Sequence, residues 1–99
     1  MNAIHCCQCG KVAELVTSIS GIVMGDEYSE TYGFCGGCQV YTVVVWRKPL
    51  DAPETVHASG PVPKEDGDAK VKVIGGCKTP WKKRCRCESH LEYFGGCLD

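Results

Sequence analysis

Cys6-Cys7-Gln8-Cys9 and Cys35-Gly36-Gly37-Cys38 are the two stretches whose reading decides the fold, and 25 residues separate them. A tetrahedral metal site needs four thiolates at about 2.3 Å from one ion. Two short turns that each carry two ligands supply that arrangement at low chain-entropy cost. The segment between them is long enough for a hairpin that closes one pair over the other. The spacing therefore predicts a structural metal site on Cys6, Cys9, Cys35 and Cys38.

Composition agrees with a metal-built interior. A chain of 99 residues has room for one domain, or for two very small metal-stapled ones. Val, Ile, Leu and Phe come in short runs, whereas Gly takes 12 positions and Cys nine. So high a cysteine share marks a chain that replaces part of its core with cross-links. A secreted disulfide framework would open with a basic and then apolar leader and carry an even number of cysteines. This chain opens Met1-Asn2-Ala3-Ile4-His5, and its cysteine count is odd. The expectation is metal in a reducing, cytoplasmic setting. No apolar run approaches the roughly 20 residues of a membrane span, so no membrane association is expected. The formal net charge is −1. Four thiolates around a dication add two negative charges, which takes the chain to about −3 with one such site and about −5 with two. Polyanion binding, if any, has to be local.

Strands are expected around the first two turns. Lys11 to Ile19 mixes β-branched residues with Glu14 and Leu15 and reads as a strand, with a short helix the alternative that periodicity leaves open, and Ser20-Gly21 and Gly25-Asp26 punctuate the stretch after it. Tyr28, Glu30, Tyr32 and Phe34 alternate with Ser29, Thr31 and Gly33 in a second strand leading into Cys35. Val40 to Trp46 is the strongest β segment, with faces Val40/Thr42/Val44/Trp46 and Tyr41/Val43/Val45. Two apolar faces predict a strand that is central or covered on both sides, with Trp46 in the core. Composition changes at Pro49: residues 49–70 hold four prolines and five acidic residues, and read as a linker or long surface loop. Val71-Lys72-Val73-Ile74 reads as one more short strand. The expected organisation is a metal-stapled subdomain at 1–48, the linker at 49–70, and a Cys-rich segment at 71–99.

The four cysteines of the first set, with Gly10 closing the first turn, resemble the zinc-ribbon family. Its rubredoxin-like members hold zinc or iron between two knuckles, with a small antiparallel sheet behind them. The resemblance covers residues 5–48 and departs at Gln39, which follows Cys38 where glycine is usual. It implies a small, metal-stabilised, mainly β domain: a zinc-ribbon-like antiparallel sheet carrying a Cys-rich C-terminal extension.

The extension offers Cys77, Cys85, Cys87, His90 and Cys97, five candidates for the four places of a second ion. The expectation is a second zinc on Cys77, Cys85, Cys87 and Cys97, with His90 as the alternate ligand. Copper competes, because closely spaced thiolates suit Cu(I). The spacings match neither common ferredoxin pattern for an iron–sulfur cluster. Cys7 reads as a spare thiol or an alternate to Cys6, and His5 as a solvated neighbour. Between the C-terminal cysteines runs a basic stretch containing Lys78, Trp81, Lys82, Lys83, Arg84 and Arg86. Such a stretch can grip phosphates and stack a base, can meet a protein partner, or can simply offset thiolate charge. Cys35 and Cys38 could instead form a thiol–disulfide pair, but that chemistry wants a helix N-terminus after the motif, and a β-branched run comes next here. No phosphate loop, Ser/His/Asp set or H-E-x-x-H is present. The function expected from the sequence is a non-enzymatic module with two zinc ions that binds protein or nucleic acid. Iron-based electron transfer or metal handling is the first alternative, and a thiol oxidoreductase the second.

Overall fold

A computed structural model describes residues 4–95. Its frame is a four-stranded antiparallel sheet in the order β1-β2-β3-β4, followed by two helices. The elements are β1 (Glu14–Val23), β2 (Asp26–Cys35), β3 (Val40–Lys48), β4 (Thr55–Pro63), α1 (Lys64–Gly75) and α2 (Glu88–Tyr93). No helix among the described residues is long and apolar enough to cross a membrane.

The first hairpin turns at Met24-Gly25, both at positive φ (52° and 87°), between the paired residues Val23 and Asp26. Two consecutive left-handed residues match the right-handed twist of the strands they join. Ser20-Gly21, expected as a break, lies inside β1. Gly21 is there for space: a Cβ on it would sit 2.6 Å from Cε2 of Phe94. The second hairpin turns at Cys35-Gly36-Gly37-Cys38, with Cys35 opposite Val40.

Pairing sorts the side chains onto two faces. Ile19, Tyr32, Tyr41 and Val43 share one face and form the core with Ile74 from α1, edged by Phe34, Val45, Val62, Val71, Tyr93 and Phe94. Thr42, Val44 and Trp46 lie on the other face. There, Ile4 and Ala13 of the N-terminal segment pack against Gly33, and buried Thr42 accepts a hydrogen bond from the Cys7 amide at 3.0 Å. Cover is therefore partial. Trp46 is half-buried, its indole N–H donating to Glu54 at 2.8 Å, and Leu15, Val16 and Val56 are exposed. β3 is central, as its two apolar faces predict, but only one face is packed under helix.

The stretch 49–70 is not a structureless loop. Residues 55–63 form β4, and α1 starts at Lys64. β4 is an edge strand whose residues are all exposed except Val62, so its own side chains carry almost no hydrophobic signal. Its partner β3 supplies the order. Val71–Ile74, expected as a strand, is the last part of α1. Gly67, Val71 and Ile74 fall at i, i+4 and i+7, one helical face turned to the core. Glu65 and Asp66 in the first turn and Lys72 in the last turn suit the helix ends electrostatically.

Candidate metal centres

The first centre is assembled at the end of the β2–β3 hairpin. Cys35 ends β2 and Cys38 precedes β3, while the N-terminal turn brings Cys6 and Cys9 over them. That turn is tied by Cys6 N–H to Lys11 O at 2.7 Å and Gly10 N–H to Cys6 O at 2.9 Å. Gly10 takes φ +80°, the left-handed conformation that closes the knuckle. In the second knuckle Gln39 does the same work, at φ +56°. Its amide donates to Cys35 O at 2.8 Å, and its side-chain Nε2 donates to Gly36 O at 2.6 Å. A residue with a hydrogen-bonding side chain thus stands in for glycine by bracing the turn it strains.

The four sulfurs lie within 4.8 Å of one another, and Cys9 Sγ is 3.7 Å from Cys35 Sγ. Ligands at 2.3 Å around a tetrahedral ion would stand about 3.8 Å apart, whereas a disulfide would need about 2.05 Å. The group fits an ion and is not a pair of disulfides. Its ionisation points the same way. The amides of Cys9 and Gln8 draw the Cys6 thiol down to about 7, while the contact with Cys9 sulfur, then burial, push Cys38 up to about 12. Four sulfurs at one point cannot all ionise unaided, and a bound dication removes that conflict.

The second centre joins the end of α1, the loop after it and α2. Cys77 follows α1, Cys85 and Cys87 end the loop, and His90 lies in α2. Their ligand atoms also fall within 4.8 Å of one another. Cys77 and Cys85 sulfurs are 3.7 Å apart, and His90 Nδ1 is 3.3 Å from the sulfurs of both Cys77 and Cys87. The His90 ring is wholly buried, and its Nε2 lies 3.0 Å from the Ser20 carbonyl. A carbonyl can only accept, so Nε2 carries the proton and Nδ1 keeps its lone pair for an ion. Backbone amides support the sulfurs: Thr79 N–H points at Cys77 and His90 N–H at Cys87, each at 3.4 Å. The Cys87 amide lowers the Cys85 thiol, whereas burial raises that of Cys77.

His90, the alternate in the sequence reading, therefore stands among the gathered ligands, and Cys97 lies outside the described residues. Cys87-x-x-His90 is the signal for it, since i and i+3 share a side of a helical turn. Nothing in the sequence points to Ser20. Cys7 and His5 are exposed and belong to neither group. The Cys35/Cys38 pair turns from strand to strand, with no helix N-terminus behind it to stabilise an attacking thiolate.

Compared with known proteins, the chain matches no family model, no curated protein and no solved structure.

The basic stretch lies on the loop of the second centre. Turns from Lys82 N–H to Thr79 O and from Cys85 N–H to Lys82 O, both at 3.0 Å, shape that loop. Lys78, Lys82, Arg84 and Arg86 are exposed, and Trp81 is 64% exposed. Lys83 is paired with Glu27 of β2, whose carboxyl is held below its usual range by that contact.

Proposed function

We propose that the chain is a non-enzymatic zinc-binding module whose two ions are structural, a zinc-ribbon-like sheet with a second centre in its C-terminal segment. The observation that carries this reading is the donor count. Each group offers four protein ligands to one point, Cys6, Cys9, Cys35 and Cys38 in the first and Cys77, Cys85, Cys87 and His90 in the second. A tetrahedral ion so filled keeps no position for water or substrate, and its binding energy, of order 10 kcal/mol, goes into folding. Nine cysteines in 99 residues with sulfurs spaced for an ion rather than for disulfides suit a reducing cytoplasm. Four donors of mixed sulfur and nitrogen in a tetrahedral group suit zinc, whose structural sites take Cys and His together.

The working surface in this reading is the loop 78–86, which presents Trp81 among Lys78, Lys82, Arg84 and Arg86 to a macromolecular partner. Elemental analysis of protein purified without added metal tests the core of the proposal. About two zinc ions per chain are expected. Iron in the first group would absorb visible light strongly and would move the function to electron transfer. Neutralising Lys82, Lys83 and Arg84 tests the surface: partner binding that persists with its salt dependence unchanged excludes this loop.

A further inference from the structure

β1 is the first strand of the sheet, so its outer side would leave amides and carbonyls open to any passing strand. At Ser20 both groups are taken. Its N–H donates to Pro80 O at 2.8 Å, and its carbonyl accepts from His90 Nε2 at 3.0 Å. Both partners belong to the second centre: Pro80 lies between Cys77 and Cys85, and His90 is itself a ligand. One imidazole thus faces the metal position with Nδ1 and the strand with Nε2.

Little else holds this loop down. No residue from 78 to 89 is buried, so the loop has no core of its own. The Lys83–Glu27 pair has an exposed lysine and contributes little. Tyr93 and Phe94 pack against the core and Phe94 stacks on the buried His90 ring, which anchors α2 but not the loop before it.

We propose that the second centre is a metal-dependent latch: its ion holds residues 78–89 across the edge of β1, and loss of that ion frees the Ser20 amide from Pro80 while the sheet and the first centre stay intact. This rests on the reading that the second group takes a zinc-like ion. The edge of the sheet then reports metal supply, closed when a borderline-soft dication is plentiful and open when it is scarce.

The Ser20 amide is the natural reporter, because its hydrogen bond goes to the latch and not to another strand. The test compares residue-resolved hydrogen exchange and zinc content in wild type and in the double variant Cys85→Ser/Cys87→Ser. Serine at 87 can keep the cap on the His90 amide that Cys87 now provides. The expected result is one zinc fewer, a Ser20 amide exchanging at least about tenfold faster, and unchanged amides in the β2–β3 ladder. A Ser20 amide still protected after that zinc is lost overturns the latch alone. Stepwise removal of zinc from wild type by a chelator gives the same reading without substitution. There, loss of Ser20 protection only together with the β2–β3 ladder overturns the latch. One zinc in wild type, retained in the variant, overturns the two-ion reading and the latch with it.

Discussion

Replacing Gly67 with alanine should destabilise this protein, although the same change in most helices stabilises them. Gly67 is buried in α1, facing Tyr41 of β3. A Cβ there would lie 2.5 Å from Cε2 and 2.7 Å from Cγ of the ring, and closer still to Cδ2. Tyr41 is poorly placed to yield. It is 5% exposed, its hydroxyl donates to Asp68 at 2.6 Å, and its ring packs on Phe34 with centroids 4.9 Å apart. Forcing a methyl group into such packing costs about 1–3 kcal/mol. Alanine returns about 0.5–1 kcal/mol of helix propensity, leaving a net loss centred near 1 kcal/mol and no more than about 2.5 kcal/mol. For a domain of this size that lowers Tm by several degrees, at roughly 4–8 °C per kcal/mol. Gly75→Ala is the control, because nothing lies within 4 Å of a Cβ at that position on the same helix. It should leave stability unchanged or raise it by a few tenths of a kcal/mol. Urea unfolding of both variants at fixed free zinc and constant reductant measures the difference. A Gly67→Ala protein as stable as wild type would refute the close packing of α1 on Tyr41.

Three further outcomes are expected from the geometry. Cys35→Ser should remove one metal ion and abolish cooperative unfolding, whereas Cys7→Ser should leave metal content unchanged, as zinc analysis and circular dichroism will show; equal losses would place Cys7 among the ligands. Tyr93→Phe deletes the hydroxyl that donates to Glu30 at 2.5 Å and meets the Tyr32 hydroxyl at 2.6 Å, so it should cost about 1–3 kcal/mol in denaturant unfolding; a neutral result would mean water replaces the hydroxyl freely. Burial, and then the Asp68 carboxylate, push the Tyr41 phenol up to about 12, so folding stability tied to it is complete below the ordinary tyrosine range and is lost as pH rises toward 12. Asp68→Asn should move that step down in a near-ultraviolet titration, and an unmoved step would show that burial alone sets it.

The first candidate ligand set and the strands beside it are legible in the sequence because each announces itself locally. Cys-x-x-Cys places two ligands on one turn, and Tyr28–Phe34 and Val40–Trp46 alternate or run β-branched over a strand's length. β4 is not legible, because an exposed edge strand with Gly60, Pro61 and Pro63 is ordered by its neighbour β3 and not by its own side chains. α1 is disguised at Val71–Ile74, where β-branched residues in a short window outweigh a helical spacing that shows only when Gly67 is counted as a contact residue. Ser20 is beyond any local reading. Its contribution to the second centre is a backbone carbonyl, which every residue possesses, and only the sheet decides that this one faces His90.

The two ligand sets are consecutive along the polypeptide and never interleave: Cys38 closes the first, and Cys77 opens the second 39 residues later. On the ribosome, a complete first set therefore exists before any described sulfur of the second has been translated. An ion taken up by the first set would need no sulfur from the second, so neither set has to wait for the other to be complete. Each centre is thus a self-contained unit of chain, and damage to one set of ligands leaves the other set whole.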